Sequence, residues 1–180
     1  MCSSDLAATA EGMRRAVAAG VAVIEHGDGG TPEIFQQMAA RGVGFCATLA
    51  ATEATSRYAG WREGMPPTAR MREKRAAFTA ARAAGVPMCV GGDAGVFAHG
   101  RNAWEIELMV AYGMSPAEAL RAATSGNARI LGLDDRLGTV REGLLADLIA
   151  VAGDPSKEIA RVREVRLVLQ GGRIVYGLSQ

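Results

Sequence analysis

The sequence predicts an α/β protein built on a parallel sheet, and three observations lead to that prediction. Segments with helix-capping residues alternate with short apolar runs rich in β-branched residues. Those runs lack the polar alternation of a half-exposed strand, which is typical of strands buried on both faces. Glycine follows most of the predicted helices, where it can end a helix in the left-handed conformation. Alternating helices and strands of this kind form parallel sheets with right-handed crossovers.

The predicted helices are marked by their capping residues. Thr31 before Pro32 and Ser115 before Pro116 each combine an N-cap with proline in the first helical position. The predicted helices are 8–19, 31–41, 68–84, 102–112 and 115–130. The polar, glycine-containing segment 50–67 is predicted to be a loop.

The predicted strands fall into two groups. Three short apolar runs lie between the helices, at 21–24, 43–49 and 86–90. After Gly132 the alternation of helices and strands gives way to short strands separated by turn residues. Further strands are predicted in the tail at 146–151, 163–170 and 173–176. Gly171 and Gly172 predict a tight turn between the last two.

The composition excludes several classes of function. The chain has 180 residues, is 49% hydrophobic, and carries 20 Lys and Arg against 19 Asp and Glu. That length suits one domain with a substantial core. The near-neutral charge argues against a nucleic-acid partner. No apolar stretch is long enough to predict a transmembrane segment.

The three cysteines predict no disulfide. Cys2, Cys46 and Cys89 are odd in number and far apart in the sequence. Cys46 and Cys89 lie within apolar runs, so we expect both to be buried free thiols.

Polar side chains follow the predicted strands of the first group. His26, Thr48 and Asp93 stand where three strands end, and functional groups of parallel α/β folds gather at such ends. Imidazole and carboxylate together suit zinc, and also iron or manganese. Two plainer interpretations stay open, in which His26 bonds local backbone and Asp93 caps a turn. His99 lies in the glycine-rich loop that follows Asp93, where it either contacts a ligand or is simply exposed.

Several motifs, taken in their order along the chain, are characteristic. They are IEHG at 24–27, GDAG at 92–95, GMSPAEAL at 113–120, ATSGNA at 123–128, ADLI at 146–149, GDP at 153–155 and GGRIV at 171–175. Together they resemble the amidohydrolase superfamily, within its imidazolonepropionase-like and Xaa-Pro dipeptidase-like branch. The combined order is specific, whereas no single motif is.

The resemblance implies a fold and a chemistry. The fold is a partial (β/α)8 barrel of the TIM type, with strands six to eight and their helices in residues 7–134, followed by a small β-rich composite domain in 135–180. His26 matches the metal ligand of strand six. Asp93 matches the strand-eight aspartate, which binds metal and acts as the catalytic general base. The implied substrate is an amide, a cyclic amide or a dipeptide-like molecule, for which Thr48 and His99 are predicted binding residues.

The sequence also departs from the family pattern. It lacks the His-x-His of strand one and the metal-bridging carboxylated lysine of strand four. Lys74 falls in a helix pattern and Lys157 in the tail, so neither fits that role, and the strand-five histidine would fall at or before Ala7. Because a zinc or iron site normally needs at least three protein ligands, we expect the chain alone to bind metal poorly and to be inactive.

The first residues of the chain and the exposed edge of the predicted sheet lead to two further expectations. Residues 1–6 are predicted to be a non-native leader, because one reading frame of a common sequencing-adapter end encodes CSSDL. A sheet cut between strands five and six would expose an apolar edge, so we expect self-association, including a homo-oligomer.

Two alternative functions remain at this point. The first is a non-catalytic α/β domain that binds a small molecule on the same scaffold. The second is an open-sheet domain that binds a small anion at Gly27–Gly30, where backbone amides precede a helix.

Overall fold

A computed structural model of the chain describes residues 4–177 and contains two sheets. The first has four parallel strands in the order β1-β2-β3-β4, and the second has three antiparallel strands in the order β5-β6-β7. The strands are β1 (Ser4–Ala7), β2 (Val23–His26), β3 (Gly44–Cys46), β4 (Met88–Cys89), β5 (Leu148–Val151), β6 (Val165–Gln170) and β7 (Arg173–Gly177). The prediction of an α/β fold with a parallel sheet is therefore confirmed. Residues 1–3, with Cys2, lie outside the described residues.

Helices cover the first sheet and connect its strands. They are α1 (Ala10–Ala19), α2 (Pro32–Arg41), α3 (Leu49–Tyr58), α4 (Ala69–Ala83), α5 (Ala103–Ala111), α6 (Pro116–Arg121) and α7 (Asn127–Ile130). A π-helical turn, Ala122–Gly126, joins α6 to α7, so the predicted helix 115–130 is one helical run with a local irregularity. None of the helices within residues 4–177 is both long and apolar enough to cross a bilayer.

Local capping fixes most helix starts as predicted. The side chains of Thr9, Thr31, Thr68 and Ser115 each accept a hydrogen bond from a backbone N–H of the first helical turn. Ser115 and Glu118 form a reciprocal capping box. These residues supply partners for N–H groups that the helix itself leaves free.

Two elements differ from the sequence prediction. The segment 50–67 was expected to be a loop, but its first part belongs to helix α3. That expectation was wrong because α3 is capped by a side chain from a distant helix, as described below. Ser4–Ala7 forms a strand that pairs in parallel with β2, from Ser4 opposite Val23 to Ala7 opposite His26. The edge of the sheet on this side is therefore β1 and not β2.

The main core lies on one face of the parallel sheet. Ile24 and Phe45 point from the strands into a cluster with helix residues such as Met13, Phe35 and Phe78. The rings of Phe35 and Phe45 lie 5.3 Å apart, centre to centre. The other face carries a smaller cluster formed by Val23, Cys46 and Cys89, against which Ile130 packs. Successive residues of a strand point to opposite faces, which explains the division.

The prediction of two free thiols was wrong. Cys46 and Cys89 are buried as expected, but they form a disulfide. The register of β3 and β4 places the two residues directly opposite each other, with Cα atoms 4.8 Å apart. This separation is within the range that a disulfide spans. The spacing of 43 residues in sequence gives no sign of this pairing, which depends on strand register.

Candidate functional site

The three polar residues predicted at the strand ends share an uncommon backbone conformation. His26, Thr48 and Asp93 have φ angles of 72°, 52° and 58°, and they are the only non-glycine residues with positive φ within residues 4–177. This conformation costs on the order of 1–3 kcal/mol per residue and is concentrated at functional sites. Three such residues at the ends of neighbouring strands make this end of the sheet the candidate functional site.

The orientation of the His26 ring is fixed by Thr48. His26 Nδ1 lies 2.7 Å from Thr48 Oγ1, and that hydroxyl donates to the carbonyl of Ala47 at 2.7 Å. A hydroxyl has one proton, and when that proton is directed to the Ala47 carbonyl, Nδ1 is the donor to Thr48, so the two contacts together favour the Nδ1–H tautomer. In this tautomer the neutral ring carries its proton on Nδ1 and leaves the Nε2 lone pair free.

Burial and nearby cations favour the neutral form of the His26 imidazole. Burial is the largest cause of a lowered His26 pKa, and the positive charge of Lys74 lowers it further. The carboxylates of Asp93 and Asp28 oppose this effect. A neutral imidazole with a free nitrogen is the form that binds a metal ion.

Glu25 is a further candidate site residue that the sequence reasoning missed. Burial raises its pKa, and the negative charge of Asp93 raises it further, which places the two carboxyl groups within electrostatic reach. Glu25 lines a cavity of about 190 Å³ together with the disulfide of Cys46 and Cys89. A larger cavity of about 430 Å³ lies between β4 and the α6–α7 run and contains none of the three strand-end residues. The alternation along β2, which directs Glu25 away from the main core, was the available signal.

Lys74 lies beneath the His26 turn. It is on α4, in agreement with the predicted helix, and its side chain is only 1% exposed. Its Nζ donates to the carbonyl oxygen of His26 at 2.7 Å and forms an ion pair with Asp28. Sequence reasoning missed this contact because 48 positions separate Lys74 from His26.

Glu105 holds the corresponding turn after β3. Its carboxylate is fully buried on α5 and accepts hydrogen bonds from Leu49 N at 2.9 Å and Ala50 N at 2.7 Å. These N–H groups open helix α3, where Thr48 provides no side-chain cap. Burial raises the pKa of Glu105 to about 7, although its two backbone hydrogen bonds favour the charged form. The position of Thr48 thus depends on a carboxylate 57 residues later in the chain.

Gly27 allows the chain to turn immediately after His26. Its φ is +58°, and a Cβ at this position would overlap the ring of Phe45. Its N–H donates to the carbonyl of Ala7, and Gly29 N and Gly30 N donate to Ala8 O and Gly27 O. Because these three amides are already bonded, the predicted anion site at Gly27–Gly30 is not supported.

The side chains at the strand ends are of the types that bind a metal ion, but only two of them are candidate ligands. His26 offers Nε2 and Asp93 offers an exposed carboxylate. Within residues 4–177, no group of three or more His, Cys, Asp or Glu side chains is arranged to hold a metal. His99 is exposed in the loop after Asp93, and its predicted role in substrate binding stays a prediction, as does that of Thr48.

Comparison with known proteins identifies the family. A sequence model of the Amidohydrolase family matches residues 5–175. An uncharacterized protein of Mycobacterium tuberculosis is 37% identical over 165 residues, which are 86% of this chain and 42% of the relative. The imidazolonepropionase of Thermoplasma volcanium is 34% identical over 97 residues, covering 51% of this chain and 24% of that protein.

A solved structure agrees with these relatives. The crystal structure of a Xaa-Pro dipeptidase with bound methionine in its active site superposes with a TM-score of 0.90 and 34% sequence identity. The match covers 98% of this chain and 45% of the dipeptidase, so the chain spans less than half the length of these proteins. The coverage, the identity and the order of the motifs together establish that the chain belongs to the amidohydrolase family.

Proposed function

We propose that this chain is the C-terminal part of a metal-dependent amidohydrolase that hydrolyses C–N bonds. In this proposal the parallel sheet and its helices are part of a (β/α)8 barrel, and residues 135–180 belong to a β-rich composite domain. The observation that carries the proposal is the fixed state of His26, whose Nδ1–H is held by Thr48 while Nε2 stays free. An outer partner that fixes the ring in this way is characteristic of metal-binding histidines.

The chain's own residues have separate roles in the proposed reaction. His26 would hold the metal through Nε2, and the carboxylate of Asp93 would be a second ligand. A divalent metal, with zinc as the first candidate and iron or manganese as alternatives, would supply an activated water and a polarised carbonyl. Asp93 accepts the proton of the attacking water and passes it to the leaving nitrogen. Glu25 adds a second carboxyl group near Asp93, which makes this end of the sheet favourable for a cation.

The proposed substrates are dipeptide-like molecules or cyclic amides. The dipeptidase structure supports the first class, because it superposes over nearly the whole of this chain. Thr48 and His99 are the residues that we assign to substrate contact, with Thr48 also orienting His26. A homo-oligomer is a further proposal, since β1 leaves Leu6 72% exposed at a sheet edge.

A chimera tests the proposal. This chain would replace the matching 45% of the Xaa-Pro dipeptidase, which would then supply the remaining ligands. We expect the chimera to hydrolyse Xaa-Pro dipeptides in the presence of zinc or manganese. His26→Asn and Asp93→Asn should each lower the rate at least about a thousandfold, since each removes a metal ligand or the general base. The unaltered 180-residue chain, assayed in parallel, should be inactive.

The alternative function is a non-catalytic domain that binds a small molecule on the same scaffold. The small number of grouped metal donors within residues 4–177 favours it. A folded chimera that binds dipeptide but hydrolyses none would support this alternative and reject the proposed enzyme. Tight, stoichiometric zinc binding by the 180-residue chain itself would reject the view that other ligands are needed.

A further inference from the structure

Lys74 is a buried cation whose hydrogen bond and ion pair are both with one turn of the chain. It is one of only two lysines in the sequence, and its side chain is 1% exposed. Burying an ammonium group is strongly unfavourable unless it is paired and hydrogen-bonded. Its partners are the carbonyl of His26, the last residue of β2, and the carboxylate of Asp28, two residues later. The cost of burying this charge is therefore offset by contacts at the His26 turn.

The carbonyl of His26 needs a partner from outside the sheet. The pairing of β2 with β3 ends at Glu25 opposite Cys46, so His26 lies beyond the last register pair on that side. Its backbone has already turned into the left-handed region, at φ 72°. Lys74 Nζ, 2.7 Å away, takes the place that a strand amide would otherwise occupy. Without this contact the half-buried carbonyl would lose its hydrogen bond and the strained conformation would lose support.

We infer that Lys74 is a positioning residue for His26. Its ammonium group ties the His26 carbonyl to Asp28, and this fixes the backbone from which the imidazole reaches Thr48. The ring then stays in the Nδ1–H tautomer with Nε2 directed away from Thr48. The inference rests on the proposed function, in which Nε2 is the atom that binds the metal.

The test is a Lys74→Met substitution in the 180-residue chain, followed by NMR of the histidine rings. Methionine has nearly the same length but no charge and no donor. The chain has only two histidines, so His26 and His99 give two sets of ring ¹⁵N signals, and His99 serves as an internal reference. At a pH where both rings are neutral, the unaltered chain should show His26 in a single Nδ1–H tautomer.

We expect Lys74→Met to abolish that single tautomer while His99 is unchanged. Lys157→Met is the matched control, because Lys157 is the other lysine and its side chain is 84% exposed. It should leave both rings as they were. A folded Lys74→Met chain whose His26 signals match those of the unaltered chain would overturn the inference, since a lysine that only stabilises the fold would not affect the tautomer.

A second measurement decides the question if Lys74→Met does not fold. In the unaltered chain, the ammonium protons of Lys74 should exchange with water far more slowly than those of Lys157, because they are bonded to His26 and Asp28. Equal, fast exchange of both lysines would reject the inference. Neither measurement uses metal or substrate. An inactive chimera would therefore reject the proposed function without deciding whether Lys74 positions His26.

Discussion

In our proposal, single residues at the strand ends carry the chemistry of this chain, and their neighbours determine what each can do. The sequence predicts His26 and Asp93 as site residues, because they follow apolar runs and stand in motifs that resemble those of amidohydrolases. Lys74 and Glu105 could not be predicted. They are ordinary helix residues in the sequence, and they reach the site from helices α4 and α5, which come later in the chain. Local patterns reveal which residues end a strand but not which distant side chains hold them.

Replacing Thr48 tests how the His26 tautomer affects metal binding. In the chimera, Thr48→Val keeps the shape of the side chain but removes the acceptor for His26 Nδ1. We expect zinc affinity to fall about 10- to 100-fold, the usual effect of losing an outer partner of a ligating histidine. Thr48→Ser keeps the hydroxyl and should retain most of the affinity. Equal affinity of the valine variant and the parent, by competition with a chelating dye, would contradict the role assigned to Thr48.

Secondary-structure elements were predictable where their signals are local. Helices α1, α2, α4 and α6 begin at a Thr or Ser whose side chain caps the first turn, and each was predicted within two residues of its start. Helix α3 was missed because its cap is the carboxylate of Glu105. Strand β1 was missed because Ser4–Ala7 has little strand character of its own and is held by pairing with β2. The Cys46–Cys89 disulfide likewise follows from strand register.

The cap on α3 predicts a dependence of stability on pH. The Glu105 pKa is about 7 in the folded chain against 4.5 when unperturbed, so between these values the folded state keeps a proton that the unfolded state releases. The free energy of unfolding should therefore fall as pH rises from about 4.5 to about 7, by up to about 3 kcal/mol, and this contribution should be constant above that range.

Two variants isolate the contribution of Glu105 in urea unfolding at a series of pH values. Glu105→Gln cannot titrate, and it should show a smaller decline across this range. It should also be less stable, because Leu49 N and Ala50 N bond to different oxygens of Glu105, and glutamine replaces one of those oxygens with an NH₂ group that cannot accept. Glu63→Gln changes a carboxylate that is 90% exposed, and it should behave as the parent chain does. An unchanged pH profile in Glu105→Gln would refute the assignment.

The disulfide between β3 and β4 should stabilise the folded chain. It closes a loop of 43 residues, for which the loss of chain entropy in the unfolded state corresponds to about 4 kcal/mol. Thermal unfolding of a Cys2→Ser chain should therefore occur at a lower temperature after reduction. A chain that also carries Cys46→Ser and Cys89→Ser should be insensitive to the reductant. If reduction leaves the unfolding temperature of the Cys2→Ser chain unchanged, the disulfide does not contribute as described.

At the scale of the whole molecule, the two faces of the parallel sheet differ in character. One face packs against helices around Ile24 and Phe45, and the other carries Glu25, the disulfide and a cavity of about 190 Å³. The sequence predicted the α/β class because helices and apolar runs alternate along it. It could not predict which residues would share a face of the sheet, since that depends on register. In our proposal, the second face lines the interior of a barrel to which this chain contributes only part.

The most direct measurement is the metal content of the dipeptidase chimera after purification and dialysis. If His26 and Asp93 are metal ligands, the parent chimera should contain bound zinc, iron or manganese. The folded His26→Asn and Asp93→Asn variants should show a clear loss of that metal. Lys157→Met should retain the parent's metal content. If the parent binds metal and the double variant His26→Asn, Asp93→Asn retains all of it, the claim that these two strand-end residues are metal ligands is contradicted.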